Sequence, residues 1–335
     1  MERCLGGNRM KAFISAQLTE DGVKQIENYA QLKLGGWGYT GKKLTPEELV
    51  AEAADCEVMV ICYEEINDYV LDHLPNLKMI ACSRGGVENI DKAAVKKHSV
   101  MVSSAPGRNA NAVAELTLGL MIGTMRFIPQ TYYYIMSQQW DRVPWDIAGN
   151  NGFKTFDGAE LAGKTLGLIG FGVIARRVAK LALGFDMKVV AYDPFITEWP
   201  KNLNVKRADW GNVLGDSDLV SLHCKLTTET KGLINANALQ SMKKNAILIN
   251  TARGSLIDED ALYEALQKKT IACAALDVLI NEPLPHDHPF LNLDNIILTP
   301  HIGGASKDII AQQTRIVLED VISYFENRKL VHAIS

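Results

Sequence analysis

The sequence predicts an α/β protein of two Rossmann/flavodoxin-like domains, one inserted into the other. Three observations carry this. The chain has 335 residues and a mass of 36.9 kDa, more than one hydrophobic core usually organises. Short β-rich runs alternate with helical patterns along its length, as in parallel sheets covered by helices. A glycine-rich strand-to-helix turn of the kind that opens a Rossmann unit stands only at residues 170–175, behind a domain's worth of earlier elements.

The first strand candidates are KAFISA (11–16), VMVICY (58–63), LKMIACS (77–83) and VMVSSA (100–105). Helical patterns lie between them. Residues 19–30 open with Thr19 and acidic residues behind it, 45–54 carry Pro46 in the first turn, and 91–97 form a shorter helix. These units predict a flavodoxin-like domain. Residues 109–127 then read as a helix apolar nearly all round, which predicts burial against something larger than its own domain. Residues 138–160, rich in Trp, Gly, Asn and Asp, read as an irregular arm.

From Lys164 the alternation restarts with TLGLIG, KVVAYD, LVSLHC, AILINTA, IACAALDV and NIILTP, the six strands a dinucleotide-binding domain requires. Residues 306–335 read as one helix and a tail, and a lone terminal helix must bury its apolar face elsewhere in the chain. The expected division is 1–108 with 305–335 as one domain and 109–304 as the inserted one. Its two crossings, near Asn109 and Gly304, are expected to act as a hinge.

Composition narrows the function. With 47% hydrophobic and 22% charged residues and a mean hydropathy of -0.02, neither disorder nor a membrane span is expected. A net charge of -4 without any Lys/Arg block argues against nucleic-acid and anionic-membrane partners. The N-terminus MERCLGGNRMK has no apolar stretch of the signal-peptide kind. Six cysteines without a CxxC pair fit reduced thiols, so a cytoplasmic protein is expected.

Read from Gly170, the turn Gly170-Phe-Gly172-Val-Ile-Ala175 is G-x-G-x-x-A, between a strand and a helix. Gly170 permits the tight turn, Gly172 lets the backbone approach a pyrophosphate, and Ala175 allows close helix–strand packing. The helix start supplies free N–H groups to the phosphates. Asp193 ends the next strand, about 20 residues on as the fingerprint expects. A carboxylate there accepts from both ribose hydroxyls and repels a 2'-phosphate, so NAD is the expected cofactor and residues 109–304 the NAD-binding domain. The plainer reading of Asp193 is a turn residue before Pro194. His223, at the end of LVSLHC, is expected to border the adenine.

Three later segments each place one ionisable residue just past a buried strand: Arg253, Glu282 and His301. The trio suits hydride transfer between a 2-hydroxy acid and a nicotinamide. His301 exchanges the hydroxyl proton, Glu282 hydrogen-bonds the imidazole and favours its charged form, and Arg253 grips the carboxylate and polarises the carbonyl.

GLIGFGVIA, NTARGSLIDEDAL, LDVLINEP and TPHIGG, in that order, resemble the D-isomer-specific 2-hydroxyacid dehydrogenases. SRGGVENID and APGRNANAVAEL resemble that family's substrate-loop and interdomain-helix patterns, so the likeness covers nearly the whole chain. It is nearest in look to the phosphoglycerate dehydrogenase branch, without the C-terminal regulatory extension some members carry, which makes 3-phosphoglycerate one candidate substrate. The resemblance implies Arg253, Glu282 and His301 as catalytic residues. It implies cofactor contacts from Val173, Ile174, Cys224, Lys225, Thr251, Ala252 and Gly303, with Arg253 and His301 beside the cofactor and Asp277 at the nicotinamide. It places Arg84, Gly85, Gly86 and Asn109 with Arg253 and His301 around a small 2-hydroxy or 2-keto acid. It also implies a homodimer, held through the apolar helix after Asn109 and the arm.

The chain departs from the family at Ser83-Arg84-Gly85-Gly86-Val87-Glu88, where alternating small residues and Asp are commoner, and in its long arm at 140–156 with Trp145. Arg84 and Arg108 can each hold a carboxylate or phosphate, or serve as solvated or structural arginines. No metal site is expected: His286-Asp287-His288 lies between prolines without a fourth ligand nearby. Tyr132, Tyr133 and Tyr134 read as interface or core packing, and neither Cys82 nor Cys224 as a nucleophile. Two rivals remain. Formate dehydrogenases resemble this family but keep Gln where this chain has Glu282. NAD(H)-sensing proteins like the transcriptional corepressors of similar sequence retain the Arg, Glu and His set.

Overall fold

The computed structural model describes residues 9–138 and 156–334, so most of the expected arm, with Trp140 and Trp145, lies outside the described residues. The chain divides into two compact units. One runs to Asn109 and resumes at Ser306; the other is Ala110–Ala305.

The first unit is built on five parallel strands: β1 (Met10–Ile14), β2 (Ala30–Leu34), β3 (Val58–Ile61), β4 (Met79–Cys82) and β5 (Met101–Ser104), in the order β2-β1-β3-β4-β5. β3 and β4 are buried on both faces, which is why their sequences VMVI and MIAC do not alternate. β2, AQLKL, was not foreseen. It is an edge strand, mostly exposed, with Gln and Lys interrupting its apolar pattern. The helix expected over 19–30 therefore stops at Glu27 and yields Ala30 to this strand.

Capping explains where the helices start. The Thr19 hydroxyl accepts from Gly22 N–H at the head of Glu20–Glu27. Thr45 and Glu48 form a reciprocal capping box at Pro46–Ala53, and Asp91 caps Lys92–Lys97. Asn67 likewise caps a short helix, Asp68–His73, that the sequence reading left out. The last helix, Ile309–Phe325, lays Ile316, Val317, Val321 and Phe325 into the core formed with Ala12, Ile14, Val58 and Val60. Phe325 stacks on Tyr29, with ring centroids 5.4 Å apart.

The second unit holds seven parallel strands: β6 (Thr165–Ile169), β7 (Lys188–Tyr192), β8 (Val205–Arg207), β9 (Leu219–Leu222), β10 (Ile247–Asn250), β11 (Cys273–Leu276) and β12 (Ile296–Leu298). Their order is β12-β11-β10-β9-β6-β7-β8, the doubly wound arrangement with its switch point between β6 and β9. The strand missed in the sequence is β8, a three-residue edge strand with two exposed charged residues.

Helix Ala110–Met125 owes its all-round apolarity to its own unit. Ala114, Leu118 and Met121 pack with Leu166, Leu168, Val178 and Ala182, so no larger surface is needed to explain them. A further helix, Ile128–Met136, follows. Of the interface or core packing expected for its tyrosines, the core alternative fits Tyr134, which packs edge-on to Phe156, while Tyr132 and Tyr133 are 66% and 69% exposed in the chain.

Candidate active site

Ligands of parallel sheets collect at the carboxyl ends of the strands, and the second unit gathers its ionisable residues there. At the end of β10, its fully buried last residue Asn250 ties a tight turn: the side chain accepts from Ala252 N–H at 3.0 Å and donates to the Arg253 carbonyl at 2.8 Å. Arg253 is left exposed, its guanidinium donating to the Ala252 carbonyl at 2.6 Å. A Cβ at Gly254 would lie 2.0 Å from the Leu279 carbonyl carbon. Only glycine lets the Arg253 turn sit this closely on the following loop.

Past β11, Asp277 is 1% exposed, and its carboxylate accepts from the Thr299 hydroxyl at 2.6 Å, Ile302 N–H at 2.9 Å and Gly303 N–H at 2.7 Å. Its own carbonyl accepts from His301 N–H at 2.9 Å. Asp277 thus shapes the loop past β12, in which His301 takes a left-handed backbone with φ 54. That conformation is uncommon outside glycine and persists only where surroundings enforce it. The Asp277 carboxylate is turned inward onto these partners of the same unit.

Glu282 returns to its own turn, one oxygen accepting from Leu279 N–H at 2.9 Å. The other lies 2.7 Å from His301 Nδ1. Both side chains are partly exposed, 38% for Glu282 and 49% for His301, so the pair is open to solvent and to a ligand. Burial alone would raise the Glu282 pKa. The His301 hydrogen bond, the Leu279 N–H and the charges of His301 and Arg253 outweigh it and hold the carboxyl below its ordinary range. With Nδ1 engaged, His301 Nε2 has no hydrogen-bond partner among the described residues.

The glycine turn opens at the end of β6. Gly170 has φ 83, and a Cβ there would lie 2.7 Å from Cys224 N, so the position requires glycine. Gly172 is different: apart from its two chain neighbours, nothing in the described chain lies within 4 Å of where its Cβ would stand. The chain's own packing does not demand glycine there, whereas a pyrophosphate against the backbone would. Gly172 caps helix Val173–Gly184 without a side chain, leaving the first-turn N–H groups facing outward with Val173, 61% exposed.

Asp193 accepts from Phe171 N–H at 2.8 Å, fastening the glycine turn, and from Phe195 N–H at 3.0 Å as a turn residue. Each carboxylate oxygen retains capacity for a ribose hydroxyl. The donors present fit a dinucleotide. His223 meets the Ser221 hydroxyl at 2.9 Å, and burial pushes its pKa down to about 4, so it is neutral at physiological pH. Burial also raises the Cys224 and Cys82 thiols, the latter to about 11, so neither is an activated nucleophile. Lys225, next to Cys224 in the chain, is exposed, and Thr251, 8% exposed, hydrogen-bonds Thr117 of the long helix at 3.0 Å.

In the first unit Arg84 lies 5.2 Å over the Tyr63 ring and 3.8 Å from Glu88. Gly85 is exposed next to it, Gly86 is half-buried, and Asn109 is the half-buried last residue before the crossing. Arg108 donates to Gln313 of the terminal helix, which favours its structural reading. Sequence reasoning missed Glu64. It is fully buried and accepts from Cys62 and Tyr63 N–H, both at 3.1 Å, and from Trp37 N–H at 3.5 Å. The available signal was an acidic residue directly behind a continuous apolar strand.

Residues 118–303, more than half of the chain and wholly within the second unit, match the family described as D-isomer specific 2-hydroxyacid dehydrogenase, NAD binding domain. The chain belongs to the D-isomer-specific 2-hydroxyacid dehydrogenases. Relatives in this dehydrogenase family include a D-3-phosphoglycerate dehydrogenase of Methanocaldococcus jannaschii, 39% identical over 319 residues. That match covers 92% of this chain but only 57% of the relative's length. A hydroxypyruvate reductase of Thermotoga maritima is 35% identical over 322 residues, covering 95% of this chain and 98% of the relative. Among solved structures, the NAD-complexed D-isomer specific 2-hydroxyacid dehydrogenase of Lactobacillus delbrueckii ssp. bulgaricus is similar with a TM-score of 0.80 and 26% identity. The match covers 97% of this chain and 100% of that one.

Proposed function

We propose that the chain is an NAD-dependent dehydrogenase interconverting a D-2-hydroxy acid and its 2-keto acid. The observation that carries this is the His301–Glu282 pair, 2.7 Å apart, in the same unit and at the same sheet edge as Arg253 and the glycine turn. NAD would be held by the Gly170–Gly172 backbone, the N–H groups of Val173 and Ile174 and the Asp193 carboxylate, and supplies or accepts the hydride when bound. In reduction, His301 gives a proton from Nε2 to the substrate oxygen; in oxidation it takes one from the hydroxyl. Ionised Glu282 stabilises the imidazolium and fixes the ring through Nδ1. Arg253 offers a planar fork to the substrate carboxylate and draws charge from the adjoining carbonyl.

Two relatives carry the names phosphoglycerate dehydrogenase and hydroxypyruvate reductase, so 3-phosphoglycerate and hydroxypyruvate head the candidates. Arg84 of the first unit is a candidate for a second anionic group. The test is turnover of a panel of 2-keto acids with NADH and NADPH. We expect reduction of at least one keto acid, with NADH strongly preferred because Asp193 repels a 2'-phosphate. Binding of NADH without turnover of any 2-keto or 2-hydroxy acid would instead favour a cofactor-sensing protein.

A homodimer belongs to the same proposal. Ile128, Tyr132, Tyr133 and Met136 leave an exposed apolar face on helix Ile128–Met136, and light scattering of the purified protein checks the dimer. Residence in a reducing cytoplasm also belongs to the proposal, supported by the free thiols of Cys56, Cys62, Cys82, Cys224 and Cys273. Among the described residues no single helix is long and apolar enough to cross a membrane.

A further inference from the structure

The turn that carries Glu282 is held from outside by a residue the proposed chemistry does not use. Glu259 begins helix Glu259–Gln267, behind its cap Asp258. One Glu259 oxygen accepts from Ile280 N–H at 2.8 Å, the amide next to the Leu279 N–H that Glu282 itself engages. The other oxygen lies 3.5 Å from His288 Nε2, and both side chains are only 14% exposed. His288 Nδ1 accepts from Phe290 N–H at 3.3 Å, so the proton of the neutral ring sits on Nε2, facing Glu259. His288, in the segment where no metal site is expected, thus braces an acid. Gly254 closes the frame by resting on the Leu279 carbonyl.

We propose that Glu259, braced by His288, is a positioning residue for the Glu282–His301 pair. It fixes the 279–282 turn so that Glu282 meets Nδ1 of His301. This rests on the reading of that pair as the acid–base machinery. Two consecutive amides of one tight turn are tied to two carboxylates, one reaching the imidazole and one reaching only the scaffold. Loss of the second tie frees the turn to displace the first, and small displacements of catalytic groups are costly, up to about 100-fold for 1 Å.

The experiment compares Glu259→Ala with Glu259→Gln in the full chain. Both lose the charge at the helix start, but only Gln keeps an acceptor for Ile280 N–H, so their difference reads the tie. For Glu259→Ala we expect kcat for keto-acid reduction to fall about tenfold, with NADH affinity and keto-acid KM within about twofold of wild type. Glu259→Gln should stay within about threefold in kcat. In a Glu282→Gln background, Glu259→Ala should add less than about twofold, because it acts through Glu282. Independently of turnover, the ¹⁵N shifts of the His301 ring report whether Nδ1 is hydrogen-bonded. They should stay native in Glu259→Gln and move toward a free imidazole in Glu259→Ala. Equal behaviour of the Ala and Gln variants, or an undiminished tenfold loss in the Glu282→Gln background, overturns the proposal. Should the wild type reduce no keto acid, the functional reading fails while the His301 shifts still decide the part of Glu259.

Discussion

Each unit places one fully buried carboxylate just past a strand, Glu64 behind β3 in the first and Asp277 behind β11 in the second. Both accept backbone N–H groups, and neither is paired with a cation among the described residues. They differ in what they hold. Glu64 holds Tyr63 in its own loop and Trp37 in a neighbouring turn, giving an edge-to-face aromatic pair with centroids 5.3 Å apart beside Arg84. Asp277 holds the next strand's loop, and the residue it delivers is His301, set against the partly exposed Glu282. Buried acids in this chain shape loops, while the acid that reaches the imidazole keeps more than a third of its side chain in contact with solvent. Residue type alone does not separate these roles; exposure and partner do.

The strongest way to break this comparison is to remove the delivered residue. His301→Ala should lower turnover by about 10²–10⁴-fold in both directions, the usual worth of a positioned acid–base group, with NADH affinity intact. Steady-state kinetics and NADH titration check it. Next come the two buried acids. Asp277→Ala and Glu64→Ala each strand several buried donors and should each lower unfolding stability by about 3 kcal/mol, read from urea curves. Only Asp277→Ala should also shift the ¹⁵N signals of the His301 ring. If Glu64→Ala moves them equally, the division of labour is wrong. Smaller again is Arg253→Lys, which keeps the charge but loses the fork. We expect a higher keto-acid KM and about tenfold lower kcat with NADH binding unchanged. A loss of NADH affinity with normal keto-acid KM would make Arg253 a cofactor residue instead.

Much of this was legible in the sequence because strong local patterns coincide with it. Buried parallel strands write continuous apolar runs, and the polar residues that end or directly follow them (Asn250, Asp277, Thr299) mark where a site can stand. The glycine turn was legible because Gly170 answers a backbone demand. β2 and β8 were not, since edge strands carry exposed Lys, Gln and Arg that break the pattern. The inward carboxylates were illegible for another reason. Asp277 takes its partners from Thr299, Ile302 and Gly303, and His288 has Glu259 beside it, each contributed by another segment of the chain. Such roles depend on which distant segments meet.

The most direct test of the His301–Glu282 pair is the pH dependence of turnover in both directions for wild type and Glu282→Gln. The Glu282 carboxyl is held below its ordinary range, so it stays ionised from mildly acidic pH upward and stabilises a charged imidazole throughout. Reduction needs protonated His301 and should fail as pH rises; oxidation needs the neutral ring and should fail as pH falls. Glu282→Gln keeps the size of the side chain and takes away the anion beside the charged imidazole. The alkaline limb of reduction and the acidic limb of oxidation should therefore both move to lower pH in Glu282→Gln. Limbs that stay where they are in wild type, with the chemical step shown to limit the rate, would contradict a coupled His301–Glu282 pair.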